Sequence, residues 1–232
     1  MMCDLRGLGR ASFATILADP PWRFANRTGK VAPEHRRLRR YATMRLEDIA
    51  ALPVNEVVAA RAHLYLWVPN ALLPEGQRVM QAWGFQYKSN LVWHKVRKDG
   101  GPDGRGIGFY FRNVTELVLF GVRGKNVRTR APGRRQVNFL ATRKRENLPE
   151  LYPIIEACSP GPFLELFARG TRPGWCGWGF EADRLRRGTR EPGIPREGMV
   201  PVAPAHMPPA HPTFGNEGEG PGAVSGVRTS LE

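Results

Sequence analysis

The stretch Phe13-Ala14-Thr15-Ile16-Leu17-Ala18-Asp19-Pro20-Pro21-Trp22 decides how the rest of this chain is read. A short run of apolar and β-favouring residues, closed abruptly by two prolines, predicts a buried strand ending in a rigid loop. In open α/β sheets ligands bind beyond the carboxyl ends of strands, so Asp19, Pro20, Pro21 and Trp22 stand where a site is expected. The same four residues have a blander reading. Asp-Pro starts many turns, and a Trp after a strand can simply be core.

Working outward, apolar runs at 62–68, 86–96, 115–122 and 163–168 read as further strands, with Leu91 and Trp93 on one face of the second of these. Helical spacing marks 45–52, stopped by Pro53, then 73–83 with Gly84 as its C-cap, and 148–158. Strands alternating with helices predict an α/β fold, a doubly wound and mostly parallel sheet with helices on both faces. Residues 23–40 form a long basic loop without periodicity, and loops of that length inside a domain usually carry function. A glycine-rich basic stretch at 97–109 matches no P-loop spacing and reads as a flexible loop near the substrate. From Thr189 the composition changes to eight prolines and seven glycines with almost no apolar pattern. Residues 1–188 are therefore expected to fold, and 189–232 to be a disordered tail.

The chain has 232 residues and a net charge of +14, with a hydrophobic share of 41%, enough for one core. No apolar run is long enough to span a membrane, and Met1-Met2-Cys3-Asp4 shows no leader pattern, so a cytoplasmic chain is expected. Cys3, Cys158 and Cys176 are scattered and odd in number, which reads as reduced thiols, with no spacing that suggests a metal. The tail's ionised groups are three Arg against five Glu, so the positive excess lies on the folded part. Clustered Arg and Lys favour a polyanionic partner, because each one set against a phosphate releases a counterion. A general preference for Arg across the genome is the alternative source of the charge.

The loop after the first strand has a specific chemistry to offer. The exocyclic amine of adenine is a poor nucleophile because its lone pair is delocalised into the ring. A carboxylate (Asp19) and a backbone carbonyl (Pro20) can each accept one amine hydrogen and pull the nitrogen toward a usable tetrahedral geometry. Pro21 has no N–H to compete for that carbonyl. Trp22 offers a flat face for a base taken out of its stack.

Asp19-Pro20-Pro21-Trp22, Leu64-Tyr65-Leu66-Trp67-Val68, Ser159-Pro160-Gly161 and Glu165-Leu166-Phe167-Ala168-Arg169, in this order, resemble the MT-A70 family of adenine-N6 methyltransferases. The likeness runs from about Asp4 to Glu181 and looks closest to bacterial or phage-type members, whose usual substrate is DNA. Eukaryotic relatives methylate messenger RNA as part of a heterodimer. The resemblance implies a Rossmann-like methyltransferase fold and S-adenosylmethionine as cofactor, with no metal. It places Asp19 and Pro20 on the target amine and Trp22 against the base. It places Asp4, Leu5, Asp19, Glu165, Arg169, Phe180 and Glu181 around the cofactor. Tyr41, Asn113, Glu116 and Arg123 match positions that line the target pocket.

Lys125 and the cluster Arg36, Arg37, Arg39 and Arg40 are the basic residues expected on the nucleic acid. Gly179-Phe180-Glu181 stands where relatives carry Gly-Asn-Glu or Gly-Asn-Gln, and Arg145-Glu146-Asn147-Leu148-Pro149 where they often carry His-Lys-Pro or Arg-Lys-Pro. His63 and His94 read as structural, since this chemistry needs no imidazole. Trp67 and Trp93 read as core. The expected partner is nucleic acid, DNA ahead of RNA, and no membrane. Without a visible recognition domain, specificity must come from loops or from a partner, for which a second copy of the chain is one candidate. A catalytically silent nucleic-acid-binding relative of the same fold is the competing class.

Overall fold

The computed structural model of the chain describes residues 5–23, 43–103, 110–130, 135–143, 148–170 and 172–179. The chain divides into two units, Met1–Arg190 and Glu191–Glu232. The second lies outside the described residues, as does the whole segment read as a tail.

The first unit is built on a seven-stranded sheet in the order β5-β3-β4-β2-β1-β6-β7. β1 (Phe13–Ala18) lies near its centre, because its side chains are apolar in both directions and so can be covered on both faces. β2 (Val58–Val68) pairs with it in parallel on one side and β6 (Phe163–Leu166) on the other, Ala18 standing opposite both Leu66 and Leu166. β7 (Trp175–Trp178) extends the sheet beyond β6, again in parallel. On the far side, β4 (Thr115–Arg123) is antiparallel both to β2 and to β3 (Gln86–Val96). β5 (Phe139–Arg143) closes that edge, parallel to β3. The sheet is mostly parallel, with β4 reversed.

Two hydrophobic layers hold the sheet. One packs Ile16, Leu64, Leu66, Leu119 and Leu164 against Ile49 of α1 (Leu46–Ala50), Val54 and Val57 of α2 (Val54–Val57), and Val79 and Met80 of α3 (Leu73–Ala82). The other packs Leu17, Tyr65, Leu91, Trp93 and Val118 against Leu151, Tyr152 and Ile155 of α4 (Leu151–Cys158). Helices therefore cover both faces, and Trp93 is core as expected. Pro153 is tolerated in α4 because it falls in the first turn, where its missing N–H has no helical partner to lose.

α3 ends as its sequence predicts. Gly84 adopts φ +80°, its N–H donates to Gln81 O at 2.9 Å, and Phe85 N–H donates to Met80 O at 3.0 Å. That is the paired-bond glycine cap, with Phe85 and Met80 buried in the same layer. Gly76 lets α3 approach β2 closely, since a Cβ there would stand 2.6 Å from Val68 Cγ2.

Several elements differ from the sequence reading, among them β7 and α2, which it does not foresee. β2 begins at Val58, four residues early, running straight out of the short helix α2. β5 lies in a stretch to which the sequence reading assigns no element. Of the stretch at 97–109, residues 104–109 lie outside the described residues, and the described part is held by Val96 bridging Pro102 and by Arg97 N–H donating to Gly101 O at 2.8 Å. Its first residues fold back as a small hairpin.

Candidate active site

β1 is flanked by β2 on one side and β6 on the other, and the helices that lead into these two neighbours, α1 and α2 into β2 and α4 into β6, lie on opposite faces of the sheet. The crevice at the carboxyl ends of β1 and β6 is the topological switch point where doubly wound sheets bind ligands. Asp19 lies there. Its N–H continues the β1–β6 ladder to Leu166 O at 3.5 Å, and its Oδ2 accepts from Arg169 Nη2 at 3.3 Å. The two side chains remain 45% and 43% exposed, open to a ligand.

Three carboxylates and three cations converge on this end of the sheet. Glu116, at the start of the reversed strand β4, pairs with Lys95 at the end of β3, and the Lys95 ammonium lies 4.9 Å from the Trp93 ring centre. Glu165 of β6 accepts from the Tyr152 hydroxyl at 3.0 Å, and the Arg172 guanidinium stands over the Tyr152 ring at 3.7 Å. These charges tune Asp19. Its pKa is pushed up to about 6 chiefly by desolvation; Arg169 opposes the rise, while Glu116 and Glu165 add to it and Lys95 lowers it. Desolvation also holds Glu165 above the usual carboxylate range, against its Tyr152 hydrogen bond and the nearby arginines.

The turn after β6 is strained. Phe167 has φ +63°, costly for a bulky side chain, and Ala168 N–H to Trp178 O at 3.0 Å holds the chain there. Gly179 is required beside it, since a Cβ would stand 2.8 Å from Ala168 N. This tight turn presents Arg169 to Asp19.

Several sequence expectations need correction. Trp22 is only 6% exposed, its ring belongs to the helical-face core, and its Nε1 donates to Trp67 O at 2.9 Å. It anchors the loop's exit and has no free face for a base. The Pro20 carbonyl is not free of competition either. Pro21 offers no N–H, but the next residue does: Trp22 N–H donates to Pro20 O at 2.8 Å in a three-residue turn. One lone pair of that carbonyl remains for a substrate. Pro21 O in turn accepts from Met44 N–H at 2.9 Å, which fixes the loop.

Leu5 is buried in the core at 2% exposed, so its side chain cannot line a cofactor. Arg123 and Lys125 lie at the opposite end of the sheet from Asp19. β4 runs antiparallel, so its first residues reach the site and its last leave it. Arg123 pairs with Ala62 near the start of β2 and donates to Asn55 O at 3.0 Å, and Lys125 follows it in the turn. Asn113 stays near the site end, accepting from Asn70 Nδ2 at 3.4 Å. Asp4, Arg36, Arg37, Arg39, Arg40, Tyr41, Phe180 and Glu181 lie outside the described residues.

Lys95, Tyr152 and Arg172 were not singled out as site residues. Only β4's direction and the α4 packing reveal them, and neither is written in hydrophobic periodicity. The buried histidine has a structural explanation. His63 Nδ1 and the Tyr65 hydroxyl each lie 2.8 Å from Ser159 Oγ, and desolvation, with help from Arg130, lowers the His63 pKa to about 4. It stays neutral at neutral pH and ties β2 to the segment before β6.

A Rossmann-like sheet with an Asp-Pro-Pro-Trp loop at its switch point defines a methyltransferase, and residues 13–181 match the MT-A70 family; the chain belongs to it. It is similar to the Type II methyltransferase M.MunI of Mycoplasma sp, 26% identical over 75% of this chain and 79% of that one. It is 28% identical to the N(6)-adenosine-methyltransferase MT-A70-like protein of Drosophila melanogaster, over 80% of this chain and 30% of that protein. It is 27% identical to the N(6)-adenosine-methyltransferase catalytic subunit METTL3 of Homo sapiens, over 79% of this chain and 31% of that protein. The chain thus matches most of M.MunI's length but under a third of the eukaryotic relatives'.

Proposed function

We propose that this chain transfers a methyl group from S-adenosylmethionine to the N6 amine of adenine in nucleic acid, with DNA ahead of RNA. The observation that carries this reading is Asp19, held by Arg169 at the switch point with its side chain open to a ligand. The preference for DNA rests on M.MunI, the Type II methyltransferase whose length this chain matches, against the N(6)-adenosine enzymes it spans only in part.

The donor set fits the cofactor. Glu165 and Asp19 suit ribose hydroxyls and a cationic centre, and Arg169 suits a carboxylate. S-adenosylmethionine, when bound, supplies an electrophilic methyl group, so no covalent enzyme intermediate is required. Asp19 accepts one amine hydrogen, and the remaining lone pair of Pro20 O accepts the other. Together they hold the nitrogen in a geometry with an available lone pair. A carboxylate with a pKa of about 6 is also placed to take the proton that the amine loses on transfer. Arg169 orients that carboxylate. The Lys95–Glu116 pair lines the neighbouring wall, where it can meet the edge of the base.

The deciding experiment incubates the protein with S-adenosylmethionine and matched DNA or RNA oligonucleotides containing a single adenine. N6-methyladenine in DNA above RNA is the expected product. Equal or greater transfer to RNA would reverse the preference, and oligonucleotide binding without transfer would support the silent relative instead.

A further inference from the structure

The connection from β3 to β4, residues 97–114, leaves the sheet at the same end as Asp19, because β3 runs in the direction of β1. Its foot is fixed. Asp103 N–H donates to Lys95 O at 2.9 Å, Lys95 N–H donates to Val114 O at 2.8 Å, and Gly100 (φ +79°) turns the hairpin between Arg97 and Gly101. On this rooted arm stand Tyr110 and Phe111, 95% and 85% exposed, the two most exposed large hydrophobic side chains among the described residues. The chain buries Trp22, Trp83, Trp93 and Trp178 almost completely, so two consecutive aromatic rings left in water are a cost that the fold does not recover.

Their surroundings select the occupant. Arg112 follows the pair directly, the connection carries Arg97, Lys98, Arg105 and Arg112 against Asp99 and Asp103, and the chain carries +14, so the rings sit in a basic setting rather than in a broad apolar patch. Flat apolar faces beside cations are what nucleobases on a phosphate chain require. A need for such a face also exists here. Drawing adenine into the Asp19 crevice breaks its stacking, and Trp22 has no free ring to offer in return.

Resting on the function proposed above, we propose that Tyr110 and Phe111 form the stacking platform for the nucleobases flanking the target adenine. They hold the opened strand while Asp19 and Pro20 hold the amine.

The test compares wild type with the double variant Tyr110→Ala/Phe111→Ala and the conservative Tyr110→Phe/Phe111→Tyr. Methyl transfer is measured on a single-adenine oligonucleotide. Fluorescence quenching of 2-aminopurine beside the target reads stacking without turnover, and calorimetry reads S-adenosylmethionine affinity. The alanine pair should raise the oligonucleotide KM roughly 10- to 100-fold and abolish the quench. Saturating kcat, cofactor affinity and melting temperature should hold, and the conservative pair should behave as wild type. An unchanged KM and quench in an active protein would overturn the platform alone. A changed sedimentation mass with unchanged quench would overturn it in favour of a second copy docking on the rings. A wild-type protein that quenches 2-aminopurine but transfers no methyl group would overturn the function and leave the platform standing.

Discussion

Asp19 is the residue on which the proposed chemistry turns, and its surroundings make that testable. Asp19→Ala removes an acceptor aimed at the amine, and transfer should fall by about 10²–10³ or more, while the melting temperature holds and most of the cofactor affinity remains. Asp19→Asn should be nearly as damaging, because its NH₂ can face the substrate amine donor to donor. Only the ionised carboxylate accepts, so kcat/KM should rise about tenfold per pH unit below about 6 and level off above it. Arg169 lowers the Asp19 pKa, so Arg169→Gln should move that limb to higher pH, a shift that simple loss of cofactor binding would not produce. A pH–rate profile at saturating cofactor separates the two.

Trp22 calls for the opposite readout. As a core residue with its N–H bound to Trp67 O, Trp22→Ala should cost about 3–5 kcal/mol of stability, seen as a lowered unfolding midpoint. Unchanged stability with a raised oligonucleotide KM would restore it to the base. The sequence could not separate these roles, because a Trp after two prolines looks the same whether it turns inward or outward.

At the scale of elements, β1 and β3 were legible to the residue, since Pro20-Pro21 limits where β1 stops and the Gly84 cap of α3 limits where β3 begins. Strand direction was not legible. A period of two marks β4 as a strand but says nothing of its being reversed, and that reversal brings Glu116 to Asp19 and carries Arg123 away. β5 escaped because it is a short edge strand with none of Phe139–Arg143 buried, so no half-buried alternation marks it. The close approach of α3 to β2 was likewise hidden, although Gly76 is its mark. Gly76→Ala would push a methyl into Val68 and should destabilise the domain by about 1–3 kcal/mol, despite alanine's better helix propensity. A denaturant titration would show it. A gain in stability would mean that α3 can move away from the sheet at little cost.

For the whole molecule, the basic side chains among the described residues lie at both ends of the sheet, and only one end faces the crevice. Arg123, Lys125 and Arg130 lie at the amino end, Arg130 N–H donating to Cys158 O just before the segment that enters β6. Arg97 on the other end is already paired with Asp99. The sequence shows the total charge but not this division, since it depends on the hand-off of β4 from one end to the other. Nucleic acid held at the crevice should release counterions from Lys98 and Arg112 and not from the far end. Each phosphate contact removed should lower the slope of log affinity against log salt by about 0.9 on duplex DNA. The Lys98→Ser/Arg112→Ser pair should therefore flatten the slope, and the Arg123→Ser/Lys125→Ser pair should leave it unchanged, with both proteins retaining their melting temperature. Equal flattening by both pairs would mean that the nucleic acid wraps the molecule from end to end. No flattening by either would assign the charge that meets phosphate to residues 24–42.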